Sequence, residues 1–297
     1  AGANNPYSNT NCDALVGSLG AATCNLSIVP SADVKVSTRA ILGRYALNDS
    51  FSILAGVREA RLNSSTLTTL STSYNIDAAS KSGMVYGAAY EVPDYAMKFE
   101  VVRSEAIDLK VTGTATARPF ATSAALGLGS VLPTGTSLDL VSSSFGIPEA
   151  TTFNVQSGIA KDTLIMASAH HVKWKSAQIV ATASGGSGIL DNGSDFADST
   201  GYSLGLGRKL SENTSASVTY SWEKGTGATS GSPFTLRGDT KTLSIGVKHT
   251  IDALTISGGV SYTKAGDVDV THAPTGLTAS YTGNSVTAFG LKVGYSF

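Results

Sequence analysis

Large apolar residues recur at every second position through much of this chain, with small or polar residues between them. Leu254, Ile256, Val260 and Tyr262 share one face of such a run, and Thr255, Ser257, Gly259 and Ser261 share the other. Leu243, Ile245 and Val247 oppose Ser244, Gly246 and Lys248 in the same way. Ala216, Val218, Tyr220 and Trp222 oppose Ser217, Thr219, Ser221 and Glu223. Phe51, Ile53, Ala55 and Val57 oppose Ser52, Gly56 and Arg58, with Leu54 breaking the pattern. The last run sets Phe289, Leu291, Val293, Tyr295 and Phe297 against Ala288, Gly290, Lys292, Gly294 and Ser296. A period of two belongs to extended strands. A final strand that stops on an aromatic is the habit of a membrane barrel, whose last strand closes the wall.

Five short polar turns punctuate the runs: Leu47-Asn-Asp-Ser50, Val92-Pro-Asp-Tyr95, Ala160-Lys-Asp-Thr163, Leu210-Ser-Glu-Asn-Thr214 and Thr250-Ile-Asp-Ala253. Asn, Asp and Pro at these places are hairpin-turn chemistry. The flanking runs are about ten residues long, whereas strands of soluble proteins average about 5–6 and tilted membrane strands need about 9–11. Longer stretches rich in Gly, Ser, Thr and Asn separate one hairpin from the next, the asymmetry of outer-membrane barrels. The strands expected are 34–46, 51–62, 82–92, 95–110, 150–160, 163–175, 200–210, 214–224, 240–250, 253–264 and 285–297. Tyr45, Phe51, Tyr90, Tyr95, Tyr295 and Phe297 fall near the turns, where an interfacial girdle would lie. The fold class expected is all-β: a transmembrane antiparallel β-barrel with about eleven strands in this chain.

An odd count is awkward, because bacterial single-chain barrels have an even number of strands. Counting back from a periplasmic C-terminus, strand 34–46 runs toward its turn, and residues 1–33 become an extracellular loop. Residues 34–297 are then the barrel portion, with 111–147 as its longest loop. The chain begins Ala1-Gly-Ala-Asn-Asn, without Met or signal peptide, as expected of a start that is processed or not included.

Composition sharpens this reading. Charged residues make up 14% of the 297, against about 25% in an average soluble protein. Glycine counts 32 and proline 8, and the mean hydropathy is +0.08. No run of 18 apolar residues exists, which excludes helical spans. A net charge of −1 gives no electrostatic case for nucleic acid. Cys12 and Cys24 lie close together in a polar stretch with turn signals, which suits a disulfide closing a surface loop; two free thiols are the alternative.

Some ordered motifs resemble a known family. Ile147-Pro-Glu149 leads into Phe153-Asn-Val-Gln-Ser-Gly158, then Asp162-Thr-Leu164 and Val172-Lys-Trp174. Tyr202-Ser-Leu-Gly-Leu-Gly-Arg208, Thr255-Ile-Ser-Gly-Gly-Val260 and Ala288-Phe-Gly-Leu-Lys-Val-Gly-Tyr-Ser-Phe297 follow. This set resembles the FadL-type outer-membrane transporters of long-chain fatty acids, over residues 34–297. The resemblance implies a fourteen-stranded barrel, of which eleven strands are here. The hatch and first three strands are then expected outside this sequence, and a companion N-terminal fragment is among the partners to consider. It also implies the outer membrane of a Gram-negative bacterium, contact with its lipid, and hydrophobic small molecules or fatty acids as ligands.

Two sets of residues are candidates for ligand handling. Phe120, Leu126, Leu128, Val131, Leu132, Leu138, Leu140, Val141 and Phe145 make the 111–147 loop unusually apolar. Such a patch marks a binding surface or packs as a small lid core; the resemblance places a landing groove for hydrophobic ligands here. Arg39, Arg58, Lys98, Glu100, Lys248 and Lys292 are expected to face the lumen. A desolvated carboxylate would need such a cation, although lumen charges also pair with each other. His170 and His171 fall on opposite faces, and Gly185-Gly-Ser-Gly188 lacks the strand–turn–helix setting of a nucleophile elbow. Neither enzyme chemistry nor a metal or cofactor is expected. The function expected is passive uptake of hydrophobic molecules, with a general porin or a surface adhesin as alternatives.

Overall fold

A computed structural model of the chain describes residues 31–68, 72–117, 135–184, 196–225, 238–272 and 277–295. Cys12, Cys24, Phe120, Leu126, Leu128, Val131, Leu132 and Phe297 lie outside the described residues. Among those described, twenty strands follow in chain order. They begin with β1 (Ser31–Asp33), β2 (Val36–Ala46), β3 (Phe51–Leu62), β4 (Ser65–Thr68), β5 (Thr72–Ile76) and β6 (Ala79–Val92). Next come β7 (Met97–Ser104), β8 (Ile107–Val111), β9 (Gly113–Ala117), β10 (Ser137–Ile147), β11 (Ala150–Ala160), β12 (Thr163–Val172) and β13 (Ile179–Ala183). The last are β14 (Ser199–Lys209), β15 (Thr214–Glu223), β16 (Thr240–Ile251), β17 (Leu254–Ala265), β18 (Val268–His272), β19 (Leu277–Tyr281) and β20 (Ser285–Tyr295).

Eleven of them form one antiparallel wall in the order β2-β3-β6-β7-β11-β12-β14-β15-β16-β17-β20. Each pairs with the wall strands before and after it in the chain, the connectivity of an up-and-down barrel. All five expected turns are present at one rim, here called the turn end; the opposite rim is the loop end. In the first turn Asn48 Oδ1 accepts hydrogen bonds from the backbone N–H groups of Ser50 (2.9 Å) and Phe51 (2.8 Å). Asp162 and Asp252 adopt left-handed backbone (φ 59° and 49°) in two others. Asp tolerates this because its short polar side chain can bond locally.

Residues paired across strands point to the same face, so register carries a face around the sheet. The row Phe51–Tyr90–Phe99–Val155–Ala167–Leu204–Tyr220–Leu243–Tyr262 crosses nine strands and is exposed throughout. The next row, Ser52–Ala89–Glu100–Asn154–Ser168–Ser203–Ser221–Thr242–Thr263, lies on the other face and is buried or half-buried. Both rows start beside the turn at Phe51 and climb toward the loop end of β17. That stagger is the shear of a tilted, closing sheet. The exposed face is thus the apolar one and the sheltered face the polar one. In water each exposed Leu, Ile or Val would forgo roughly 1.5–3 kcal/mol of burial, whereas against lipid it loses nothing. The convex face is therefore a lipid face and the concave face a lumen.

Six wall strands continue past the loop end into a second sheet. β1 leads to β2, β3 to β4, β5 to β6, β7 to β8, β10 to β11 and β12 to β13, each across a short bend or turn. The second sheet runs β1-β4-β5-β9-β10-β13, with β8 also on β10. Here the expected strand 95–110 is corrected: it breaks after Ser104, and Ile107–Val111 pairs with β10 instead of extending the wall. The expected loop 111–147 is likewise partly strand, because β9 and β10 satisfy their backbone groups by pairing. Residues Ser31–Asp33 pair with β4 as a strand of this sheet, so the expected loop 1–33 ends earlier. A conventional core joins the second sheet to the top of β3. It contains Ala60, Leu62, Tyr74, Ile107, Leu109 and Leu140. Burial pushes the Tyr74 phenol above its ordinary range. Gly113, at φ 146°, lies against the Asn75 carbonyl where a Cβ has no room, which brings β5 and β9 together.

β2 and β20 are the two edges of the wall, and among the described residues each has a hydrogen-bonded neighbour on one side only. Ile41, Phe289 and Leu291 are 85%, 83% and 77% exposed.

Candidate ligand-binding lumen

The concave face carries two charged groups of different character. Near the turn end of β2, β6 and β7, Arg44 donates through Nε to Ser52 Oγ (2.9 Å) and through Nη2 to Glu91 Oε1 (2.5 Å). Lys98 Nζ lies 3.6 Å from that Glu91 oxygen and 2.7 Å from Glu100 Oε2. Asn154 Nδ2 donates to Glu100 Oε1 at 3.1 Å. Two cations and two anions thus compensate one another in a strip along the inner wall. Lys98 and Glu100, expected in the lumen, are there and spend their charge on each other. Arg44 and Glu91 complete the strip although sequence reasoning did not single them out; forty-seven positions separate the two partners.

The second group includes cations left uncompensated. Lys209, Ser215, Lys248, Ser257 and Lys292 form one hydrogen-bonded row on the concave face of β14 to β20. Lys209 Nζ pairs with Glu212 Oε2 at 2.9 Å. Lys248 and Lys292 have neither an ion pair nor a hydrogen bond to their ammonium groups among the described residues. A cavity of about 900 Å³ lies here, lined by Lys209, Lys248 and Ser257 beside Tyr95, Leu164 and Met166. Met166 also lines a neighbouring cavity of about 370 Å³ that includes Lys98, Glu100, Asn154 and Ser168. The two make one groove along the wall.

Its floor is less polar than its composition suggests. Ser168 and Ser203 hydroxyls in the floor bond each other at 2.7 Å, and those of Thr242 and Thr263, elsewhere on the concave face, at 2.8 Å. Hydroxyls so engaged leave their carbon faces to a ligand. Gly205, Gly207 and Gly246 keep the floor low between them. An apolar chain can lie in this groove with an anionic head at Lys248. In a partly desolvated setting such a charge-assisted contact is worth about 1.5–3 kcal/mol.

The remaining expected residues fall elsewhere. Arg58 is on the concave face nearer the loop end, where Nη2 donates to the Glu105 carbonyl at 2.9 Å under the second sheet. Arg39 is a correction: its register partner is Glu59, in the outward series of Val57 and Ile53, so it faces outward. β2 mixes apolar residues on both faces, Ile41 on one and Leu42 on the other, and alternation alone misassigns it. Leu138, Leu140 and Phe145 pack in or against the second-sheet core, with Leu140 5% exposed. For these three the packing is that of the lid-core alternative. His170 faces inward beside Thr152 and His171 outward beside Thr200. Among the described residues no three His, Cys, Asp or Glu side chains are grouped to hold a metal.

Glu149 of the Pro-Glu motif lies where β10 bends into β11. It accepts from Arg103 Nη2 at 2.7 Å and Lys173 Nζ at 2.8 Å, and its carbonyl accepts from the Lys173 backbone N–H at 3.0 Å. These three residues tie wall strands to the foot of the second sheet. Lys173 first, then Arg103, hold the Glu149 carboxyl below the usual glutamate range.

No protein-family model matches the sequence, and no curated protein matches it. Solved structures do. A Pseudomonas aeruginosa FadL homologue aligns at 18% identity with a TM-score of 0.68, over 88% of this chain and 68% of its own. The Pseudomonas putida toluene transporter TodX aligns at 14% identity with a TM-score of 0.56, covering 91% and 72% respectively. CymD, a monoaromatic hydrocarbon channel, aligns at 12% identity with a TM-score of 0.57, covering 90% and 74%. At such identities the likeness concerns the fold alone, and it agrees with the antiparallel wall. The chain has the fold of the FadL-type barrels.

Proposed function

We propose that this chain forms most of the wall of an outer-membrane channel of a Gram-negative bacterium, through which hydrophobic molecules with an anionic head pass inward unaided. Long-chain fatty acids are the ligand class that fits best. The observation that carries this reading is Lys248, uncompensated, beside an elongated groove floored by Met166, Leu164 and glycines. The turn end is the periplasmic rim and the loop end the extracellular one, as hairpin lengths dictate in such barrels. A ligand enters beneath the second sheet, slides along the groove, and leaves at the periplasmic end or sideways into the membrane. Transfer from water is driven by apolar area at about 25 cal/mol per Å². Solved structures of the same fold include a toluene transporter and a monoaromatic hydrocarbon channel, which supports hydrophobic cargo in general.

Lipid offers no partner to the unpaired backbone groups of β2 and β20. We infer that further strands, whichever polypeptide supplies them, close the wall between these two edges; three would make fourteen. A disulfide between Cys12 and Cys24 remains our expectation for the polar N-terminal stretch. The paired strip Arg44–Glu91–Lys98–Glu100 favours one second reading, a porin for small polar solutes. Proteoliposomes separate the two readings: uptake of labelled long-chain fatty acid without sugar-sized conductance supports the first. Sugar-sized conductance without fatty-acid uptake sinks it.

A further inference from the structure

Lys241 and Lys264 serve neither the lumen nor a salt bridge. They are directly opposed partners on β16 and β17, in the outward row that continues through Trp222 to Tyr202. Leu243 and Tyr262 lie one outward position nearer the turn end. Trp222 stacks between Tyr202 and Tyr220, with ring centroids 5.5 Å and 5.9 Å away. The loop end of this flank thus reads aromatic, aromatic, lysine, lysine above an aliphatic band. From Ile251 to Lys241 the strand rises about 33 Å, or about 25 Å after tilt, the height of a lipid-facing band. The two ammonium groups stand at headgroup depth.

Like charges directly opposite each other across a strand pair destabilise it. Neither lysine has an ion pair or a side-chain hydrogen bond among the described residues. Asp239, two positions before Lys241, is engaged elsewhere: its Oδ1 accepts from the Gly225 N–H at 2.7 Å. A single doubly charged group lying between the lysines would turn repulsion into a bridge. Two exposed ammonium groups at the headgroup level, above rings that prefer the interface, suit a phosphate carried by a lipid.

We propose that Lys241 and Lys264 clasp the phosphate of an outer-leaflet glycolipid. This rests on the reading of the wall as a membrane barrel with its loop end outward, and is independent of what the lumen carries. The experiment is lipid retention on the protein purified from its membrane into phosphatidylcholine nanodiscs doped with diphosphoryl lipid A. The K241Q/K264Q variant should hold the lipid about thirtyfold more weakly, since each lysine near a charged surface contributes about fivefold. K241R/K264R should retain it, and dephosphorylated lipid A should bind the unaltered protein no better than it binds the glutamine variant. Equal retention by the glutamine variant, or of the dephosphorylated lipid, overturns the proposal. So does full displacement by inorganic phosphate, which would mark a general anion site, or preference for phosphatidylglycerol, which would put this rim at the inner leaflet. None of these outcomes bears on fatty-acid uptake, so the two readings fail separately.

Discussion

The wall and the second sheet are built from the same chain by the same alternation, yet their apolar faces meet opposite surroundings. Leu243, Ile245 and Val247 of β16 are 47%, 51% and 48% exposed, while Ile107 and Leu109 of β8 are each 1% exposed. The wall hides hydroxyls and shows aliphatics; the second sheet, continuous with it through six strands, does the reverse. Alternation therefore says that two faces differ, not which one is inside. Strand length decides: wall strands of ten or more residues, with β7 at eight the exception, suit a membrane, and the second-sheet strands of three to five residues, β10 apart, suit a small core above it.

This contrast breaks most sharply in the second sheet. Leu109→Ala should cost about 2–5 kcal/mol of local stability, loosening the second sheet while the wall keeps its heat-resistant mobility on gels; hydrogen exchange confined to β5, β8 and β10 would confirm it. Ile245→Lys, on the lipid face at mid-depth, should cost about 2–4 kcal/mol; refolding into vesicles in urea measures it, and a loss as small as that of a rim substitution would deny the lipid face. Leu243→Ser is the milder version and should cost less than Leu109→Ala, because removing an exposed side chain leaves no cavity.

A weaker effect should appear at the boundary between the two regions. The Glu149 carboxyl is held low in the folded protein, so its clasp contributes fully above the ordinary glutamate value of about 4.3 and is lost as pH falls through the lower, clasped value. Hydrogen-exchange protection at the start of β11, taken relative to the intrinsic rate at each pH, should fall across that acid window and be flat with pH in Glu149→Gln. Protection that falls equally in both would assign the change to other groups.

Most wall strands were legible in the sequence because they carry their own period and a hairpin turn; β2, apolar on both faces, and β20, outside the five turns, are the exceptions. The second sheet was not, since bends at Glu105-Ala106 and Pro148-Glu149 interrupt strands without a turn signature, and pairing between β5 and β9 is non-local. In the lumen Lys98, Glu100, Lys248 and Lys292 could be placed by parity alone. Arg44 and Glu91 could not be paired without register, nor could Lys248 be told from Lys98 as the uncompensated cation. Leu138, Leu140 and Phe145 read as an apolar loop because the strand that sequesters them, β10, has no tight turn to announce it.

The central claim is that the lumen is tuned to an apolar chain with an anionic head, and Lys248 is where it can be tested. Initial uptake of a long-chain fatty acid and of toluene should be measured side by side in proteoliposomes bearing the protein or its K248M/K292M variant. Loss of a charge-assisted contact predicts at least about a tenfold fall in fatty-acid uptake, with toluene uptake unchanged. An unchanged ratio between the two would contradict the claim.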